Sequence, residues 1–286
     1  MILPLENGGY VAFDEYGDPA GVPVIFCHGW PSSRTMAQLV ETAALENGVR
    51  VISPDRPGIR GSSYQKGRTL EDWPAVVRAL VEHLSLDRFH LLAISGGAPY
   101  AYATARALPE QVRALAIVSG APPLVGLEDH SGLLPMHRRL LRVYAWQPEV
   151  LRALFHLARP FLLVRPPLRL RPLLLRFLQP CDAQALRERA AFESCFESAR
   201  QAWSGSAQGL IADAEIYVRP WGFEPEEIQR PVRMWHGKED RTFAFHLAEE
   251  LCARLPDCRL NLVENAGHYS LPIRYMGEIL RDLVEH

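Results

Sequence analysis

Apolar and polar positions along this chain of 286 residues follow two alternating rhythms. Short apolar runs suited to buried strands lie at residues 24–27, 49–53, 89–94, 115–119, 232–235 and 259–263. Residues 9–16 alternate between apolar and polar, the pattern of an antiparallel lead-in strand. Stretches with a helical period fall between them, at 33–46, 69–84, 98–108, 244–255 and 272–285. Thr69 with Asp72 three residues on is a helix-start signal, and Asn47-Gly48 is a stop. Strands alternating with helices predict an α/β fold: a mostly parallel central sheet flanked by helices on both faces.

The rhythm breaks between Pro122 and Pro220, where no convincing strand occurs. This stretch predicts an inserted helical cap, so the chain divides into a core part at 1–121, a cap at 122–219 and a second core part at 220–286. Residues 184–205 and 207–217 are the expected last cap helices, and the Pro-broken run 165–172 reads as a loop or hinge. Between Gly132 and Gln179 the cap holds fifteen Leu and nine Arg against one acidic residue, Glu149. Amphipathic helices that bury Leu and solvate Arg account for this composition. A lipophilic lid with a basic rim is the sharper alternative.

Candidate chemistry is concentrated where strands end. The run Phe89-His90-Leu91-Leu92-Ala93-Ile94 leads into Ser95-Gly96-Gly97 and then a helical pattern. Strand, tight turn and helix make a nucleophile elbow, which lifts a serine hydroxyl into open space and aims the next backbone N–H at the same point. Ala93 and Gly97 are small because strand and helix approach closely there. A serine needs a base to take its proton and a carboxylate to orient that base. Asp240 follows the strand pattern at 232–235, and His268 follows the one at 259–263. Asp55 and His28 read as turn-bracing residues, and Trp30 as either packing or a pocket wall.

Five ordered motifs run through the chain: His28-Gly29-Trp30-Pro31, Ser53-Pro54-Asp55-Arg56-Pro57-Gly58, Ala93-Ile94-Ser95-Gly96-Gly97, His236-Gly237-Lys238-Glu239-Asp240 and Gly267-His268. Together they resemble the α/β-hydrolase superfamily over nearly the whole length, in its serine-nucleophile branch with the His-Gly-x-Pro turn. Ala93 departs from the family's glycine, and Ile59-Arg60-Gly61-Ser62 departs from its usual loop. The resemblance implies that Ser95 is nucleophile, Asp240 orienting acid and His268 general base, with Asp213 the rival for the acid because some relatives carry that carboxylate on an earlier strand. It also implies that the backbone N–H groups of Trp30 and Gly96 form an oxyanion hole, with a cis bond before Pro31 as in similar proteins. The implied activity is two-step acyl transfer on a carboxylic ester or lactone of a small, largely apolar substrate, with no metal or cofactor. C–C bond hydrolysis, cofactor-free perhydrolysis of the haloperoxidase type, iminopeptidase action and a receptor-like ligand binder are the alternatives. Epoxide hydrolases and haloalkane dehalogenases share the His-Gly-x-Pro turn but attack with a carboxylate, which this elbow lacks.

Composition adds little that changes this picture. A net charge of −2 gives no reason to expect nucleic acid as a partner. No apolar run approaches the ~18–20 residues of a membrane span, and the amino terminus has no signal-peptide pattern. A small-molecule substrate is the expected partner, with no integral membrane association and a homodimer left open. Cys27, Cys181, Cys195, Cys252 and Cys258 are odd in number and lack metal-type spacing, so reduced thiols in a cytoplasmic protein are expected.

Overall fold

The computed structural model describes residues 1–125, 127, 130–165 and 168–285. Eight strands, β1 (Ile2–Pro4), β2 (Tyr10–Gly17), β3 (Val22–Cys27), β4 (Val49–Pro54), β5 (Phe89–Ile94), β6 (Val112–Val118), β7 (Val232–Gly237) and β8 (Cys258–Val263), form one sheet. Their order is β1-β2-β4-β3-β5-β6-β7-β8. The β1–β2 and β2–β4 pairs are antiparallel and every other pair is parallel. Each apolar run of the sequence is a strand. The short edge strand β1 carries too few residues to show a period, and β6 begins three residues before its expected start.

Side-chain alternation explains the layers. On β5, Phe89, Leu91 and Ala93 face one core while Leu92 and Ile94 face the other. Helices α2 (Trp73–His83) and α3 (Ala98–Ala107), together with α10 (Phe245–Arg254), cover the first face; α1 (Glu41–Glu46) and α11 (Ser270–Val284) cover the second. The expected start before α2 is a capping box, with the Thr69 N–H donating to Asp72 at 2.6 Å. The stop after α1 is Asn47 followed by Gly48 at φ +60°.

Between β6 and β7 the described residues form helices and no named strand: α4 (Pro135–Trp146), α5 (Pro148–Leu162), α6 (Arg171–Leu175), α7 (Pro180–Ala185), α8 (Arg189–Ala202) and α9 (Gln208–Tyr217). Proline stands in the first two positions of α4, α5, α6 and α7, where its missing N–H costs no helix bond. That punctuation divides the Leu- and Arg-rich run into short helices. Residues 165–172 differ in part from the expected loop, because a 3₁₀ turn at Leu168–Leu170 leads into α6; Pro166 and Pro167 lie outside the described residues. Leu151, Phe155, Trp203 and Leu210 gather with Ile59 of the β4–β5 connection into a small separate core.

The cysteines differ from the expectation of five thiols. Cys252 near the end of α10 and Cys258 at the start of β8 form a disulfide, their Cα atoms brought to 5.5 Å by the intervening turn. A spacing of six matches no familiar motif, so the sequence carried no signal of the pair. Cys27, Cys181 and Cys195 are free. Among the described residues no helix is long and apolar enough to cross a membrane.

Candidate active site

The chain passes from β3 to β4 on one side of the sheet and returns through β5 on the other, which opens a crevice at the carboxyl ends of β3 and β5. The two ends deliver the His28–Trp30 turn and Ser95 to that crevice. Ser95 has φ +53°, the left-handed backbone that a sharp strand-to-helix turn demands. Gly97 permits the turn: a Cβ there would lie 1.9 Å from the Cys27 carbonyl oxygen. The Gly96 carbonyl accepts a hydrogen bond from the Tyr217 hydroxyl at 2.8 Å, which fixes the orientation of its peptide.

Ser95, His268 and Asp240, remote in sequence, lie in one hydrogen-bonded row. His268 Nε2 is 3.0 Å from Ser95 Oγ, and His268 Nδ1 is 2.8 Å from Asp240 Oδ2. The other oxygen of Asp240 accepts N–H bonds from Thr242 at 2.7 Å and Phe243 at 3.1 Å. Burial acts to raise the Asp240 pKa, but the charge and hydrogen bond of His268 outweigh it and hold the carboxyl below its usual range. Burial likewise acts to lower the His268 pKa, and the Asp240 charge and hydrogen bond bring it above the ordinary histidine value. His236 Nε2–H donates to the Phe243 carbonyl at 2.9 Å and so braces the Asp240 turn.

Asp213 does not join this row. It sits on α9, not at a strand end, and its carboxylate accepts from Arg56 Nε at 2.8 Å, from the Tyr100 hydroxyl at 2.7 Å and from Arg68. Arg56 also donates to the carbonyls of His28 at 2.5 Å and Gly29 at 2.9 Å. The buried arginine therefore holds the turn that precedes Trp30, and Asp213 balances its charge. His28 is fully buried, bonds the Gly29 carbonyl through Nδ1 at 3.0 Å, and has its pKa lowered well below the usual value by burial and by Arg56. Asp55 accepts from the Arg34 backbone N–H at 2.7 Å and from the Arg34 guanidinium, a bracing role. The Trp30–Pro31 peptide is cis.

Ser95, Gly96, Trp30 and His268 share the wall of one cleft of about 980 Å³, its open mouth included. Leu140, Leu151, Phe155 and Phe243 supply apolar walls, and among the described residues no Asp, Glu, Lys or Arg lines it. The Trp30 indole N–H donates to the Leu210 carbonyl at 3.1 Å, and its ring stacks on Phe155 with centroids 5.9 Å apart. Trp30 is thus both packing and pocket wall.

Sequence reasoning missed two residues beside the site. His137 on α4 lines the cleft and stacks on Phe243; burial first, then the His268 charge, pushes its pKa down to about 4. Asp182 on α7 accepts backbone N–H bonds from His268 at 3.1 Å, Tyr269 at 3.0 Å and Ser270 at 2.7 Å. Neither belongs to a motif, and their approach depends on how the inserted helices fold back.

A family model describing the alpha/beta hydrolase fold matches residues 22–274. A pimeloyl-[acyl-carrier protein] methyl ester esterase of Aromatoleum aromaticum is 26% identical over 246 residues, 86% of this chain and 90% of that protein. A non-heme chloroperoxidase of Streptomyces lividans is 34% identical over 126 residues, 43% of this chain, so the chain spans under half (46%) of that relative's length. Among solved structures, a bromoperoxidase from Bacillus anthracis superposes with a TM-score of 0.73 at 19% identity, covering 100% of this chain and 99% of that one. At that identity the likeness is one of fold.

Proposed function

The chain belongs to the alpha/beta hydrolase fold family, and we propose that it is a serine hydrolase acting by acyl transfer on a neutral, largely apolar carboxylic ester or lactone. Fold alone does not assign chemistry. The observation that carries the reading is the His268 ring, bonded to Ser95 Oγ on one side and Asp240 on the other, at a cleft wall shared with Trp30 and Gly96.

In the first step Ser95 Oγ attacks the carbonyl carbon as its proton passes to His268 Nε2. Asp240 holds the ring with Nε2 free to accept, and stabilises the imidazolium that forms. The Trp30 and Gly96 backbone N–H groups bind the developing oxyanion; losing one such donor typically costs about 10²–10³ in kcat. Collapse of the tetrahedral intermediate returns the proton to the departing alcohol and leaves an acyl-Ser95 ester. Water, deprotonated by His268, then releases the acid and restores the serine. Asp213 and Arg56 act on this chemistry by supporting the turn behind Trp30.

The helices between β6 and β7 serve, in this reading, as a cap that shapes the acyl site over residues 122–219. Among the described residues the cleft has no Lys or Arg in its wall to serve as counter-ion for a carboxylate-bearing acyl group. Turnover of p-nitrophenyl esters of increasing chain length, with Ser95→Ala as control, tests the proposal. Preference for neutral acyl chains supports it; a clear preference for dicarboxylate half-esters contradicts it. Perhydrolysis, in which hydrogen peroxide replaces water at the acyl-enzyme, is the second reading, favoured by the chloroperoxidase likeness of one part of the chain. Peracid formation from peroxide and a carboxylic acid tests it.

A further inference from the structure

The acyl-transfer scheme makes no use of Asp182, although it is buried, with 4% of its surface exposed. Its carboxylate enters from α7 and meets the first turn of α11. Oδ2 accepts the His268 N–H at 3.1 Å, while Oδ1 accepts the N–H groups of Tyr269 at 3.0 Å and Ser270 at 2.7 Å and the Ser270 hydroxyl at 2.8 Å. The Ser270 oxygen in turn accepts the Gly267 N–H at 2.7 Å. Every residue from 267 to 270 is thereby tied, directly or through one hydroxyl, to a carboxylate 86 positions before His268. Gly267 belongs to the same fit, since a Cβ there would stand 2.7 Å from both oxygens of Asp182.

A carboxylate at the start of a helix is stabilised by the unsatisfied N–H groups and by the helix dipole. Helices usually take that group from their own preceding residues. Here Tyr269 holds that position, and the anion comes from the segment between β6 and β7. We propose that Asp182 is a positioning residue for His268: by gripping the backbone on which the imidazole is carried, and by placing a second negative charge behind it, the inserted helices complete the base. The proposal rests on the reading of His268 as the general base. The arrangement has a physical consequence beyond stability. Asp182 is one of the groups that favour the His268 imidazolium, after burial, which opposes it, and Asp240. The titratable groups facing His268 are Asp240 and His236 from the β7 turn, His137 from α4, Asp182 from α7, and neighbouring Tyr269.

The test compares the full-length protein with its Asp182→Asn and Ser270→Ala variants in two measurements. The first is the pH profile of p-nitrophenyl butyrate hydrolysis. Asp182→Asn should lower kcat by about 10–100-fold, the scale of a misplaced catalytic group, with KM held within about twofold, and should move the acid limb to lower pH. Ser270→Ala keeps the charge and loosens the grip, so kcat should fall less and the acid limb should stay in place; it also serves if Asp182→Asn does not fold. The second measurement follows the His268 ring by NMR pH titration in a Ser95→Ala background, where no turnover is needed. Asp182→Asn should shift that titration to lower pH. A lower melting temperature with kcat, acid limb and ring titration unchanged makes Asp182 a helix cap only and overturns the proposal. If the wild-type protein shows no Ser95-dependent turnover, the catalytic reading fails, and the ring titration still decides whether Asp182 acts on His268.

Discussion

Replacing Asp213 with Asn separates the two buried carboxylates that competed for the role of acid. In the structure Asp213 is fully buried, and the arginines it balances, Arg56 and Arg68, have 1% and 2% of their side-chain surface exposed. Asparagine keeps one oxygen for Arg56 or Tyr100 but removes the charge bonded to both guanidinium groups. Unpairing a buried ion pair costs about 3–5 kcal/mol, a large share of the ~5–15 kcal/mol that holds a typical domain together. At about 2–4 °C per kcal/mol for a chain of this size, the melting temperature should fall by roughly 6–20 °C. Thermal unfolding followed by circular dichroism measures this directly. Asp240→Asn should behave oppositely, with kcat reduced by about 10⁴-fold through the wrong imidazole tautomer and a smaller change in melting temperature. If Asp213→Asn melts like the wild type and loses kcat while Asp240→Asn stays active, the assignment of the acid is wrong.

Four further outcomes follow from the geometry. His268 must be neutral to accept the serine proton and its pKa is raised, so kcat/KM should fall as pH drops through a midpoint above 6.5; a midpoint below 6.5 would contradict the coupling to Asp240. The raised pKa also means that the imidazolium–Asp240 contact adds stability below pH 6.5 and loses that contribution as pH rises through the folded-state value. Phe155→Ala removes a ring stacked on Trp30 and packed at a tilt against Trp203, and should cost about 3–5 kcal/mol. It should also raise the octanoate-to-butyrate ratio of kcat/KM by at least about tenfold; an unchanged ratio would place the acyl chain elsewhere. Gly97→Ala forces a Cβ against the Cys27 carbonyl oxygen and should destabilise by about 3 kcal/mol or more, so wild-type melting would refute the close approach of β3 and α3.

The legible parts of this protein are those governed by short-range chemistry. Apolar runs of four to six residues mark the central strands because β5 and its neighbours are buried on both faces. Ser95, Asp240 and His268 each follow such a run, so their placement at strand ends could be read from pattern alone. Asp182 and Arg56 could not be read this way. Asp182 sits in an ordinary Pro-Cys-Asp start of a short helix, and its partners lie 86 to 88 positions away. Arg56 looks like part of a turn motif, and its partners, the His28 and Gly29 carbonyls and Asp213 on α9, lie 27 to 157 positions away. Asp213, the rival acid by likeness to relatives with the carboxylate on an earlier strand, is placed instead by contacts with Arg56, Arg68 and Tyr100 that its sequence neighbours do not disclose. The Cys252–Cys258 pair was hidden in like manner, by a turn that composition does not disclose.

The decisive measurement is intact-protein and peptide mass spectrometry after treatment with a fluorophosphonate. A single adduct on Ser95, formed by the wild-type protein, lost in Ser95→Ala and strongly slowed in His268→Ala, is the predicted result. An adduct on another residue, or equally fast labelling when the imidazole is absent, would contradict the claim that His268 makes the Ser95 oxygen a nucleophile.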